Sequence, residues 1–393
     1  MDMLKILADY AYGQQQYQIG NYTVNIQEKL SEGGYAYVYK CVDINTNKEY
    51  ALKKILCQDQ ERYRMAQREV EVMRAIPEND NIVRFYDSTV ITEGKTRSVL
   101  LLLELCTEGT LINLLEKYNG QLSLPQILYI IKEILTAVQV VHRAGFIHRD
   151  LKVENILLHN KKFKLCDFGS CTSEIIELST ASRNDLLSYQ ETFERETTLM
   201  YRPPEMIDLY ARHRIDFKAD VWMIGCILYT LAFFRHPFQD QAQLAIVNAH
   251  YSFPQGSRFN NKFHSFIAWI LNPIPALRPS VDELINAIEN YESVGNFGNS
   301  APQQSQAKNV RKREDRDMTD EEIQREIMKI RNQGAQPKPR PKVDTRQNQP
   351  QNIWSAPASV QVTQQTQQQT VENANLLGFS PPKGSNNAGW AKF

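Results

Sequence analysis

Two short stretches, FIHRDLKVENILL at 146–158 and FKLCDFGS at 163–170, constrain this chain more than any other part. The first puts a carboxylate (Asp150), a cation (Lys152) and an amide (Asn155) in one loop, and the second adds Asp167 between a short apolar run and Gly169. A base, a positive charge and two hard oxygen donors from one compact stretch suit chemistry on a strongly anionic group. A chance polar loop has no reason to be followed, in that order and at that separation, by the second stretch.

The rest of the chain supplies a frame for those loops. Its 393 residues, 42% of them hydrophobic, can build a substantial core. Its 45 basic and 45 acidic residues balance, so no global field draws it to nucleic acid or to an anionic membrane. Six scattered cysteines, without a CxxC pair or a cysteine-histidine ligand spacing, suit a reducing compartment rather than a disulfide scaffold or a zinc site. The start, MDMLKILADYAY, reads as neither a signal peptide nor an N-myristoylation site. The longest strongly apolar run, 221–234, is shorter than the roughly 20 residues a bilayer span needs and reads as a helix buried on all sides.

The β-rich segments YTVNIQEKL, AYVYKCV and EYALKKIL, with turns at Gly33-Gly34 and Asn45-Thr46-Asn47, predict an antiparallel meander. A helix follows at about 60–75, strands recur at NIVRFYDS and RSVLLLLEL, and helices dominate from about 109. In 123–145, Ser123 and Gln126 form a capping box and Gly145 is the stop. The fold class is therefore α+β: a small antiparallel-sheet lobe with one helix (about 17–106), then a larger helical lobe (about 107–294). Residues 1–16 read as an extension. Residues 295–393, rich in Gln, Asn, Pro and Ser, read as a low-complexity disordered tail with one short capped helix at 319–332.

The paired stretches resemble the protein kinase catalytic loop and its metal-binding DFG motif, which implies a bilobal fold, ATP and Mg2+ as cofactors, and protein substrates. Asp150 would then accept the substrate hydroxyl proton, Lys152 would neutralise the moving phosphoryl group, and Asn155 and Asp167 would hold magnesium. A lysine two residues after the aspartate resembles the Ser/Thr-specific loop. The resemblance also needs a strand lysine paired to a helix glutamate. In YALKK, Ala51 and Lys53 share a face, so Ala51 packing on adenine puts Lys53 in the cleft and leaves Lys54 facing solvent. Glu69 has Val72 and Met73 at i+3 and i+4, whereas Glu71 has Arg74 and Ala75, so Glu69 is the partner. By the same resemblance LLLELCTEG is the hinge, with Leu103 as gatekeeper, the backbone of Glu104 and Cys106 facing adenine, and Leu157 also in the ATP site. Thr198 contacts the catalytic aspartate and lysine, Glu205 pairs with Arg278, and Asp220 anchors the catalytic loop.

The glycine loop LSEGGYAYVYK narrows the resemblance. Counted back from Val38, its three glycine positions hold Ser31, Gly33 and Ala36, with Gly34 extra. With TTLMYRPPEMIDLY and KADVWMIGCILYTLAFFRHPF, that pattern is similar to the Numb-associated kinases, closest to the cyclin G-associated and adaptor-associated members. The similarity implies an extra helix after the activation segment, in EMIDLYARHRID, and phosphorylation of clathrin-adaptor or endocytic proteins, often at a threonine before glycine. It implies a cytoplasmic protein, peripheral to vesicles through partners. Arg149 and the Ser and Thr residues between Asp167 and Glu205 allow loop phosphorylation, and an unmodified loop fits equally. LLGF at 376–379 and the terminal WAKF faintly resemble clathrin-box and W-x-x-F peptides but lack their acidic residues. A catalytically weak scaffold is the alternative reading, supported only by the degenerate glycine loop and the tail.

Overall fold

The computed structural model describes residues 15–94, 96–239, 241–295 and 297. The expected helix at 319–332 and both C-terminal peptide motifs lie outside the described residues. The first lobe is one antiparallel sheet of six strands: β1 (Gln16–Ile19), β2 (Tyr22–Glu32), β3 (Ala36–Asp43), β4 (Glu49–Cys57), β5 (Phe85–Glu93) and β6 (Thr96–Leu103), in spatial order β1-β2-β3-β4-β6-β5. The run SVLLLL in β6 is apolar without alternation because both faces of the sheet are covered. Val99 and Leu101 join the core shared with the helices, while Leu100 and Leu102 join a second cluster with Ile19, Val24, Ile26 and Tyr50.

Strand β1 is absent from the sequence reading, which began the domain at residue 17. Gln16 pairs with Asn25, and the hairpin closes through Gly20, whose φ is +56°. Any side chain at Gly20 would also meet the Asp87 carboxylate, 1.8 Å from an added Cβ. Conversely, NIVRFYDS becomes strand only from Phe85; Ile82 makes a single bridge to Leu165.

Helix α1 (Gln60–Ala75) opens on Asp59, whose carboxylate accepts the Arg62 N–H at 2.7 Å, and buries Ala66, Glu69, Val70, Val72 and Met73. The second lobe begins with α2 (Leu111–Lys117) and α3 (Leu124–Arg143); at the start of α3 Ser123 N–H donates to the Gln126 side chain at 2.8 Å, and Gly145 ends the helix at φ +85°. By length and composition α3 is apolar enough to cross a bilayer. Eight of its residues, Ile127 to Val141, are instead committed to the lobe's core. A short hairpin, β7 (Ile156–His159) and β8 (Lys162–Leu165), separates the two motif loops.

Then come α4 (Arg183–Glu196), α5 (Pro204–Ile207), α6 (Lys218–Phe233), α7 (Gln243–Val247), α8 (Asn261–Ile270) and α9 (Val281–Glu289). Every residue of α6 from Ala219 to Ala232 is buried, as its uninterrupted apolar run predicts. The expected extra helix in EMIDLYARHRID does not form. That stretch is the four-residue α5 and one 3-10 turn, ended at Asp208, whose side chain accepts the Tyr210 N–H, and at Arg212, which is left-handed. A helix absent from the sequence reading lies upstream, between Asp167 and Glu205, as α4. It starts at a Ser182–Asp185 capping box, in which Ser182 N–H donates to the Asp185 carboxylate at 2.8 Å. The second lobe also runs past residue 294: Phe297 is buried against Phe266, Trp269 and Tyr291.

Candidate active site

The site forms where β4, α1 and the two motif loops converge. Lys53 lies on the cleft side of β4, opposite Val38 on β3 and Leu101 on β6. Its ammonium donates to Glu69 at 2.6 Å and to Asp167 at 2.8 Å. Burial works against the Lys53 cation, but the Asp167 and Glu69 carboxylates outweigh it and raise its pKa. The adjacent Lys53 charge holds Asp167 down at about 2. Burial raises the Glu69 carboxyl, opposed by Lys53. Glu71 is exposed and takes no part. Lys54 points to the other face, as strand alternation requires, but does not simply face solvent: it donates to Glu93 at 2.8 Å and to the Tyr17 hydroxyl at 3.1 Å. The missed strand β1 provides that tyrosine.

The catalytic-loop residues hold each other in place. Asp150, 7% exposed, accepts four bonds at its carboxylate: from Lys152 at 2.7 Å, from the Thr198 hydroxyl at 2.7 Å, from the Thr198 N–H at 3.0 Å and from the Asn155 amide at 3.4 Å. Lys152 also donates to the Thr198 hydroxyl at 2.9 Å, closing a triangle. The Asn155 amide donates to the Asp150 carbonyl at 2.9 Å, which leaves the Asn155 carbonyl oxygen available. Below the loop, Asp220 of α6 accepts the N–H groups of His148 and Arg149, each at 2.8 Å. Arg149 and Asp167 both adopt left-handed backbone, φ +66° and +63°, a strain that such anchoring sustains. Arg149 itself, which the sequence leaves open to a phosphorylated or an unmodified loop alike, already meets the Glu196 carboxylate at 2.6 Å.

A cavity of about 330 Å³ brings Gly33, Gly34 and Ala36 together with Lys53, Glu69 and Asp167. The glycine loop is a tight hairpin turn in which Gly33 N–H donates to the Ala36 carbonyl at 2.8 Å. Ser31 and Val38 pair across the ladder below that turn and do not line this cavity. Neither Gly33 nor Gly34 has a positive φ, and a Cβ on either would meet nothing closer than 3.7 Å. Their smallness therefore matters only for something brought against the turn. At the hinge, Leu103 pairs with Ala51 in the ladder. Glu104 N–H donates to the Arg84 carbonyl at 2.9 Å, and among the described residues no other backbone group engages the Glu104 carbonyl or the Cys106 N–H. Burial pushes the Cys106 thiol up to about 12, which leaves it a packing residue. Leu157 is half-buried on β7.

A protein kinase domain family model matches residues 24–288. The chain belongs to the protein kinase domain family. The chain is 35% identical over 278 residues to a probable serine/threonine-protein kinase of Dictyostelium discoideum, covering 69% of this chain and 24% of that protein. A second probable serine/threonine-protein kinase of that organism is 36% identical over 280 residues, 69% of this chain and 34% of its own. A serine/threonine-protein kinase of Schizosaccharomyces pombe is 34% identical over 277 residues, 69% of this chain and 29% of its own. The chain thus spans a quarter to a third of the length of these curated relatives. Kinases of this family use ATP and Mg2+ and act on proteins. Among the described residues no group of three His, Cys, Asp or Glu side chains gathers as a metal site. The fit is instead that of a magnesium held by few protein oxygens: Asn155 and half-exposed Asp167 offer two, and nucleotide phosphates and water would supply the rest.

Sequence reasoning missed Glu196 and its partner Arg68, which touches it at 3.3 Å. Neither belongs to a motif, and no local spacing marks them.

Proposed function

We propose that this chain is an ATP-dependent protein serine/threonine kinase. The observation that carries the reading is the closed triangle of Asp150, Lys152 and Thr198 beside the Lys53–Glu69–Asp167 relay. In the proposed reaction a substrate serine or threonine oxygen bonds to the γ-phosphorus, the bond from that phosphorus to the β–γ bridging oxygen breaks, and the hydroxyl proton passes to Asp150. Lys152 carries its charge next to the phosphoryl group in transit, and Thr198 keeps Asp150 and Lys152 in register. Lys53, fixed by Glu69, orients the phosphates, and the Gly33–Ala36 turn covers them with backbone N–H groups. Magnesium held by Asn155 and Asp167 would neutralise phosphate charge.

The finer proposal is that the kinase belongs with the Numb-associated group and acts on clathrin-adaptor or endocytic proteins in the cytoplasm, reaching vesicles through partners. Its support is the Ser31-Gly33-Gly34-Ala36 pattern and the stretch from Thr197 to Pro237. Six unpaired cysteines are compatible with a reducing compartment. Peptide-library phosphorylation tests both levels: transfer to Ser or Thr peptides supports the kinase, and enrichment of threonine followed by glycine supports the finer assignment. Activity without that enrichment would remove the adaptor assignment and leave the kinase.

A further inference from the structure

Activation segments of kinases are commonly ordered by a phosphate that pairs with arginines. Here the arginines already share a carboxylate. Glu196, the last residue of α4, is 3% exposed at its side chain and accepts from Arg149 at 2.6 Å through one oxygen. Its other oxygen meets Arg68 of α1 and Arg195, each at 3.3 Å. Arg149 Nε donates to the Ser170 carbonyl at 2.7 Å, and the Ser170 hydroxyl donates back to the Glu196 carbonyl. Glu196 therefore ties the catalytic loop and the helix that carries Glu69 through its carboxylate, and the start of the activation segment through its backbone carbonyl. A second tie, Arg195 to Glu61 at 2.9 Å, joins α4 to the first turn of α1.

Resting on the kinase reading above, we infer that Glu196 is a positioning residue that does the work of an activation-segment phosphate, so the kinase is competent without phosphorylation of that segment. Two physical points carry this. A buried arginine without an anion is costly, so Arg149 has its place fixed by whichever anion reaches it, and Glu196 is built into the chain at that point. Arg68 is one residue before Glu69, so a pull on Arg68 is a pull on the helix turn that presents Glu69 to Lys53. Glu196 touches no reacting group and acts through Arg149 and Arg68.

The test uses the full chain, dephosphorylated with a broad phosphatase and checked by mass spectrometry for phosphate between Ser170 and Thr198. Dephosphorylated wild type is expected to retain its kcat within twofold. Glu196→Gln is expected to lower kcat at least tenfold while the ATP dissociation constant, measured by nucleotide titration, stays within threefold. Should Glu196→Gln fail to fold, Arg68→Met decides, because Arg68 lies a third exposed and its loss leaves the Arg149–Glu196 pair in place; a several-fold lower kcat at unchanged ATP affinity is expected. A dephosphorylated wild type that loses its activity and regains it on rephosphorylation would overturn the inference while leaving the kinase reading intact. So would a folded Glu196→Gln, or Arg68→Met, turning over at the wild-type rate. Absence of transfer by wild type in every phosphorylation state would instead remove the kinase reading, and the inference with it.

Discussion

Thr198→Val isolates one corner of the triangle that holds the catalytic base. Valine keeps the branched shape and puts a methyl in place of the hydroxyl, which donates to Asp150 at 2.7 Å and accepts from Lys152 at 2.9 Å. Three other bonds survive, from the Thr198 N–H to Asp150 at 3.0 Å, from Lys152 at 2.7 Å and from the Asn155 amide at 3.4 Å, so Asp150 is loosened rather than orphaned. A hydrogen bond to a charged group contributes about 1.5–3 kcal/mol. If that contribution bears on the transfer step, kcat falls about 10- to 160-fold. Neither lost bond touches Lys53 or the Gly33 turn, so the KM for ATP should stay within about twofold of wild type. The assay is initial-rate γ-phosphate transfer to a generic protein substrate across ATP concentrations. Thr198→Ser, which restores the hydroxyl, should recover most of the rate. A Thr198→Val enzyme at wild-type kcat, or one whose whole defect lies in ATP KM, would refute the reasoning.

Three further perturbations probe other parts of the fold. Gly33→Val meets no obstacle in the free protein, so it should fold normally and raise the KM for ATP several-fold by keeping phosphates off the turn; an unchanged KM would make the turn only a hairpin. Arg278 donates two bonds of 2.7 Å to Glu205, both side chains fully buried, so Glu205→Ala should cost about 3–5 kcal/mol in denaturant unfolding, and a loss below 1 kcal/mol would contradict the buried-pair argument. His236 is buried and its pKa is pushed down to about 3 by desolvation. Because the unfolded chain binds that proton first, stability should fall as pH drops below about 6.5, at close to 1.4 kcal/mol per unit down to about pH 3. Burial also lowers His148, which contributes in the same direction. His236→Asn, which keeps a side-chain acceptor for the Phe238 N–H, should flatten the slope of unfolding free energy against pH; an unaltered slope would exclude His236 as its source.

What was legible in the sequence is what local chemistry specifies. The loop residues Asp150, Lys152 and Asn155 are within six positions of one another, and strand alternation alone separates Lys53 from Lys54. Helical spacing likewise separates Glu69 from Glu71, because only Glu69 shares its face with Val72 and Met73. The failures have physical causes of another kind. Strand β1 is four residues with one fully buried side chain, Ile19, so it carries almost no hydrophobic pattern. Helix α4 buries only Leu186, Phe193 and Glu196, and its polar surface hides the 3.6-residue period even though Ser182 and Asp185 mark its start. In EMIDLYARHRID the apolar residues suggest a helix, but Asp208 captures a backbone N–H and Arg212 turns left-handed, which divides the segment. Glu196 was out of reach altogether, since its partners Arg149 and Arg68 are 47 and 128 residues away. Only the folded chain brings them together.

The central claim, that these residues catalyse phosphoryl transfer rather than merely bind nucleotide, is tested most directly by Asp150→Asn. Asparagine keeps the shape and a hydrogen-bond acceptor but cannot take up the substrate proton. Nucleotide affinity and single-turnover transfer of the γ-phosphate to a serine or threonine peptide should be measured on the same wild-type and variant preparations. The expected result is equal ATP affinity, with transfer slowed at least about 100-fold in the variant. Equal transfer rates in the two proteins, or a wild type that binds ATP and transfers nothing, would contradict it.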